Sequence, residues 1–272
     1  MASPSLSAAV AALERLAPLA GAGSWDNVGL LLEPVPDASA GRILLCIDLT
    51  EPVMDEAIDW GAELIVAYHP PIFRGAQRLT QGVPLQRSIL RAARAGIAIH
   101  SPHTALDAVT DGVCDWLAAG LGPLSDARPI EPLAPPQDPN EGAGRLVTLA
   151  EPVSLDALVT RMKSYLGLSA LRVAAHPRHD AGAASVRTVA VCPGSGGGLF
   201  EGVGGVDLLL TGEMQHHDVL ARVAMGSAVI LTEHSNSERG YLPVLQARLQ
   251  SALGDGAEVR ISRADGDPLQ VR

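Results

Sequence analysis

The stretch "RILLCIDLTEPVMDEAIDWGAELIVAYHPPIF", Arg42 to Phe73, decides the fold class. It opens on an apolar run, "RILLCIDL" (42–49), of the length of a strand. "TEPVMDEAIDWGA" (50–62) reads as a helix, with Thr50 at the N-cap position and an acid in the first turn, where it meets the positive end of the helix. A second apolar run, "ELIVAY" (63–68), ends at His69 and is stopped by Pro70 and Pro71. Strand, helix and strand in that order predict parallel strands joined by a crossover helix.

The same alternation extends in both directions. An amphipathic N-terminal helix precedes it. "PLQRSILRAARAG" (84–96), "IAIHSP" (97–102) and "GVCDWLAAGLG" (112–122) continue it as helix, strand and helix. Residues 121–143 hold six prolines and no apolar period, and read as a linker. Strands then follow at "RLVTLA", "ALRVAA", "VRTVAVCPG", "DLLLTG" and "SAVILTEH". "SLDALVTRMKSYLG", capped by Ser154, is a helix, as is "ERGYLPVLQARLQSAL", and "GAEVRIS" is a final strand. His176 and His179 fall in a polar loop, where solvated side chains are expected. The class is α/β, with mostly parallel or mixed sheets covered by helices.

Composition narrows the function. The 272 residues are 47% hydrophobic and 18% charged, the balance of a folded globular chain. No apolar run reaches the roughly 20 residues of a membrane span. A net charge of −10 argues against a general nucleic-acid binder and suits a site for cations. Cys46, Cys114 and Cys192 form no CxxC pair and read as free thiols of a cytoplasmic protein.

In open α/β sheets, ligands bind beyond the carboxyl ends of the strands. Four predicted strand ends here carry imidazoles and carboxylates: Asp48; His69; His100, His103 and Asp107; and Glu233, His234 and Glu238. His69, Asp107, His234 and Glu238 together make the mixed imidazole and carboxylate set of a divalent metal such as Zn, Mn, Fe or Ni. His234 and Glu238 stand four apart, so a helix starting before them would turn both to one side. His100 reads as structural. His103, four residues before Asp107, is placed to orient that carboxylate.

Two further segments stand out. "CPGSGGGLF" (192–200) is a glycine-rich turn whose amides at Gly194, Ser195, Gly196 and Gly197 are candidates for cradling a phosphate. It lacks both the GxGxxG spacing and the Walker lysine. In "TGEMQHHDVL" (211–220), His216 and His217 are adjacent, so at most one of them reaches a common site from a helix.

Six motifs in order, "SWDNVGLLLE", "AYHPPIF", "HSPHTALDAVTDGVCDWLA", "CPGSGGG", "LLLTGEMQHHD" and "EHSNSE", resemble the NIF-three-like family. Its members are called dinuclear-metal-centre hexameric proteins, and many are called GTP cyclohydrolase 1 type 2-like. The resemblance runs from about residue 5 to 260. It implies two α/β lobes: residues 1–122 with about 233–272, carrying the metal ligands, and residues 144–232, joined by a linker at 123–143. It implies a homohexamer built as a trimer of dimers, and a site holding one or two divalent ions (Zn, Mn, Fe, Ni or Mg) on His69, Asp107, His234 and Glu238. Where many members have a second histidine before the first ligand, this chain has Tyr68, which with Asp48 is expected just outside the ligand set. A cyclohydrolase-type activity implies water attack on a nucleotide or other phosphorylated small molecule, with His103 or His217 moving protons. The competing expectation is a metal-binding protein without turnover, in metal homeostasis or as a regulatory scaffold.

Overall fold

The computed structural model describes residues 3–133, 138–180 and 185–270. In chain order the elements are α1 (Leu6–Leu16), β1 (Gly29–Leu32), β2 (Arg42–Cys46), α2 (Glu51–Trp60), β3 (Leu64–Ala67), α3 (Pro84–Ala95), β4 (Ala98–Ser101) and α4 (His103–Ala108). Next come α5 (Val113–Ala119), β5 (Leu124–Arg128), β6 (Glu131–Pro132), β7 (Gly142–Ala143), β8 (Arg145–Val153), α6 (Leu155–Leu166), β9 (Arg172–Ala174) and α7 (Pro177–Asp180). The chain finishes with β10 (Val186–Ser195), β11 (Leu208–Glu213), α8 (His216–Ala224), β12 (Ala228–Leu231), α9 (Leu242–Leu253) and β13 (Glu258–Ile261). Two compact units result: Met1–Leu106 with Tyr241–Gly266, and Asp107–Gly240 with Asp267–Arg272.

The first unit holds a five-stranded sheet in the order β1-β4-β3-β2-β13. β4, β3, β2 and β13 are parallel, and β1 pairs antiparallel with β4 at the edge. Alternate side chains of the strands, Leu44 and Cys46, Ile65 and Ala67, and Ile99, pack against Val53, Met54 and Ala57 of α2 and Ala92 of α3. α2 and α3 both stop at a glycine in the left-handed conformation, Gly61 (φ 73°) and Gly96 (φ 72°), the usual C-terminal signal. Thr50 occupies the cap position of α2, but its hydroxyl makes no capping bond.

The second unit holds a six-stranded sheet in the order β5-β8-β10-β11-β12-β9. β10, β11 and β12 are parallel; β5, β8 and β9 pair antiparallel. Both faces are covered, as the two-residue period requires: Val189, Val191, Leu208, Leu210 and Ile230 face α5 and α6, while Ala190, Leu209 and Val229 pack on Phe200 and Val203. Arg145, 1% exposed, staples this unit internally: its guanidinium pairs with Asp115 and donates to the carbonyls of Gly142 and Gly144 at 2.8 Å and of Val109 at 3.2 Å.

The expected lobe boundaries shift. The Pro-rich segment 123–143 belongs to the second unit, because β5 adds to β8 and Glu131–Pro132 pairs with Gly142–Ala143; its residues 134–137 lie outside those described. α5 packs on β8 and β10 and joins the second unit as well. Of the expected ligands, only His69 therefore lies in the first unit, whereas Asp107, His234 and Glu238 lie in the second. His179 is buried, not solvated: it sits in the short helix α7 rather than in an open loop. Among the described residues no helix is long and apolar enough to cross a membrane.

His100 on β4 is fully buried, and neither ring nitrogen has a hydrogen-bond partner among the described residues. Burial lowers its pKa to about 4 from an ordinary 6.5, so it folds as a neutral imidazole. Between these values the unfolded chain binds the extra proton, so stability rises with pH across the window. Acidifying from about pH 6.5 to 4 is expected to remove on the order of 3 kcal/mol through this group. Urea unfolding of wild type and His100→Leu across that range checks it: the variant should lose this part of the acid slope, and an unchanged slope would contradict the assignment.

Candidate metal centre

In the first unit, the backbone pairing of β2 and β3 continues past their ends: Tyr68 N–H donates to Cys46 O at 2.9 Å and His69 N–H to Ile47 O at 3.0 Å. This delivers His69 beside Asp48. The Asp48 carboxylate lies 2.9 Å from His69 Nδ1 and accepts its proton. With Nδ1 bound, Nε2 is the nitrogen His69 presents to a ligand. The end of β2 is held in turn by Asp265, which accepts the Ile47 N–H at 2.7 Å.

His103 opens α4 with a positive φ of 26°, a strained value for a residue with a side chain. Both oxygens of Asp26 lie 2.8 Å from its Nδ1. Asp26 also accepts the Asn27 N–H at 2.7 Å and the Thr104 N–H at 3.2 Å, and its side chain is fully enclosed. Burial alone would raise its pKa; the hydrogen bonds from His103 and Thr104, the charge of His103 and the Asn27 amide outweigh burial and hold it below the ordinary carboxylate range. Four rings stand around His103: Tyr68 (5.5 Å between centroids), His69 (5.4 Å), Trp25 (6.1 Å) and Phe73 (6.3 Å), each close to edge-on. Tyr68, where a second histidine was expected by resemblance, is buried, and its carbonyl accepts the Ser101 hydroxyl at 2.7 Å.

In the second unit, β12 leads through Glu233 (φ 67°) into a single 3-10 turn at Ser235–Ser237, not the helix the spacing suggested. The turn still brings the i, i+4 pair together: His234 Nε2 lies 3.5 Å from Glu238 Oε1. Glu213, at the end of β11, lies 3.0 Å from His234 Nδ1. His234 thus repeats the arrangement of His69 at Nδ1, with a carboxylate on that nitrogen, and its Nε2 faces Glu238. Glu238 is 3% exposed. Asp107 acts on the same surroundings: burial first, then the negative charges of Asp107 and Glu238, push the Cys192 thiol far above its ordinary range.

The glycine turn packs beneath this pair. Gly194 (φ 62°) donates its N–H to Ser237 Oγ at 2.7 Å, and Gly196 donates to Thr211 Oγ1 at 3.0 Å. Those two amides are committed inside the fold, and Ser195 is itself the last residue of β10, paired with Glu213 of β11. His217 is exposed on the first turn of α8 beside His216 (5.4 Å between rings), and among the described residues it is not paired to a carboxylate as His103 is.

The donors fit a divalent cation. Imidazole Nε2 atoms oriented by carboxylates through Nδ1, and a buried glutamate, are ligands for Zn²⁺ and its first-row neighbours. One of the residues that orient others, Asp26, had no role in the sequence reading. Glu213 stands at a strand end and obeys the rule that found the others. Asp26 lies in a turn 77 residues from His103, and nothing local links the two.

Residues 4–268 match the family described as Duf34/NIF3 (NGG1p interacting factor 3). The chain is 45% identical over 259 residues to "Protein NIF3 homolog" of Schizosaccharomyces pombe, covering 91% of each protein. It is 35% identical over 350 aligned positions to "NIF3-like protein 1" of Homo sapiens, covering 98% of this chain and 92% of that one. A Bacillus cereus protein related to NIF3 has a similar structure, with a TM-score of 0.83 over the whole of both chains at 19% identity.

Gly194 supplies a local test. A Cβ there would stand 2.6 Å from Glu238 Oε1 and 3.1 Å from His234 Nε2, at a backbone conformation that favours glycine. Gly194→Ala is expected to cost about 1–3 kcal/mol in chemical denaturation. Gly198→Ala, with φ −66° and open space around it, should change stability little. Equal effects at the two positions would contradict the close packing of the turn on the His234–Glu238 pair.

Proposed function

The chain belongs to the Duf34/NIF3 family, and from that premise we propose that it is a metal-dependent hydrolase acting on a nucleotide or similar phosphorylated small molecule. In this reading the ligands are those the resemblance implies, His69 in the first unit and Asp107, His234 and Glu238 in the second. The observation that carries the metal reading is the carboxylate on the Nδ1 of each histidine, Asp48 for His69 and Glu213 for His234. The homohexamer implied by resemblance and a cytoplasmic location are part of the same reading.

A divalent cation at these donors supplies Lewis-acid polarisation of the substrate and a water of lowered pKa. The other roles fall to the chain. Asp48 and Glu213 hold the two imidazoles in the tautomer that leaves Nε2 to ligate. His103, with its proton on Nδ1 toward Asp26, accepts the proton of the attacking water at Nε2 and returns it to the leaving group. Asp26 stabilises the cationic ring while it holds that proton. Among the described residues no carboxylate is set to orient His217 in this way, so the proton-moving role goes to His103.

A second reading, metal binding without turnover, uses the same donors and differs at His103, since a storage site has no use for an oriented proton acceptor. Protein stripped by chelator, reloaded with single metals and assayed on a nucleotide panel separates the two. Glu238→Ala and His234→Ala should lose stoichiometric metal, and Asp48→Asn should weaken it about 10- to 100-fold. His103→Gln should keep its metal and lose about 10²- to 10⁴-fold in turnover. Metal uptake unchanged in Glu238→Ala would remove the assigned centre. Full metal binding with no turnover on any nucleotide would favour the second reading.

A further inference from the structure

Beside His69 and His103, the segment after Pro71 and the start of α3 enclose a cleft of about 570 Å³, within the range of small-molecule sites. Phe73, Leu79, Val83 and Leu85 give it apolar walls. Among the described residues the only charged side chains lining it are Arg74 and Arg78, and no acidic residue does, in a chain with 30 Asp and Glu against 20 Lys and Arg. Neither arginine has an ion pair or hydrogen bond among the described residues. On the neighbouring helix, by contrast, Arg87 and Arg91 are paired with Glu51 at 3.4 Å and Asp55 at 2.5 Å. The cleft is thus a local reversal of the chain's charge, complementary to an anion.

An aromatic face adjoins it. Trp25 is 64% exposed and Phe73 41% exposed, and their rings pack with centroids 6.0 Å apart. This is an unusual use of large rings in a chain with three tryptophans and two phenylalanines, since each ring left in water forfeits its burial energy. Both rings meet the edge of His103, the proposed proton carrier. The two rings are tilted 58° to each other and form an angled corner, so a planar ligand laid on one would meet the other at its edge and lie close to His103.

We propose that Trp25 is the stacking face for a planar heterocycle, that Phe73, tilted against it, walls the ring's edge, and that Arg74 and Arg78 grip the phosphate or carboxylate joined to it. The ligand class is an anionic heteroaromatic small molecule, of which a nucleotide is one. That this ligand is the substrate rests on the hydrolase reading; that it binds does not, because these four residues lie in one unit and none is a proposed metal donor.

The test is isothermal titration of the metal-stripped full-length protein with GTP, ATP, flavin mononucleotide, guanosine and tripolyphosphate, alongside sedimentation equilibrium. Trp25→Ala is expected to weaken GTP and guanosine alike by tenfold or more, consistent with loss of ring stacking. The double variant Arg74→Ala/Arg78→Ala should weaken GTP and tripolyphosphate tenfold or more and leave guanosine unchanged. Arg94→Ala, on α3 but outside the cleft, should change nothing. All these positions are exposed, and unchanged thermal unfolding confirms that the variants fold. The proposal is overturned if wild type binds none of the probes at millimolar concentration, or if the variants bind as wild type does. It is also overturned if the variants change only the sedimenting mass, which would make this face a contact between copies of the chain. The pattern with no turnover would remove the hydrolase reading alone; turnover that depends on Glu238 with binding and KM indifferent to these variants would remove this proposal alone.

Discussion

An imidazole has two nitrogens, and a carboxylate on one of them decides what the other can do. That constraint recurs three times among the described residues. Asp48 takes Nδ1 of His69, Glu213 takes Nδ1 of His234, and Asp26 takes Nδ1 of His103, at 2.8 to 3.0 Å. Each pair fixes a tautomer and a ring orientation, and each leaves Nε2 as the working atom. Two of these nitrogens belong to proposed ligands and one to the proposed proton carrier. The division follows from surroundings: His234 adjoins a buried carboxylate, whereas His103 is ringed by aromatic side chains.

The sheets serve this constraint. Parallel strands end on one side, so residues just past β2 and β3, or past β11 and β12, become neighbours. Asp48 meets His69 across the first pair and Glu213 meets His234 across the second. Side chains of the strands themselves are spent on the core. Close approach behind the His234 turn needs residues without a Cβ: one on Gly212 would stand 2.6 Å from Gly194 O and 2.8 Å from His234 Cα. Packing therefore accounts for glycine at Gly194 in the glycine-rich turn and at Gly212 on β11.

The strand and helix alternation was legible because the apolar periods are clean and the stops are Gly and Pro, as at Gly61 and at Pro70–Pro71. Strand-end placement also pointed to Asp48, His69, His234 and Glu238. The division of the chain was less legible. A run with six prolines reads as linker, yet Leu124–Arg128 pairs with β8, and pairing partners far along the chain leave no local trace. His179 was misread as solvated for the same reason, since burial comes from tertiary packing. Asp26 was invisible as a partner of His103 because a turn residue carries no period. The exposed Trp25 and Phe73 and the unpaired arginines became informative only once their neighbours were known.

The most direct measurement of the central proposal is X-ray absorption at the metal edge of zinc-loaded protein, which counts imidazoles around the ion. Two imidazoles per zinc in wild type, falling to one in His69→Ala and to one in His234→Ala, is the predicted result. A zinc environment without imidazole, or one unchanged by either substitution, would contradict it.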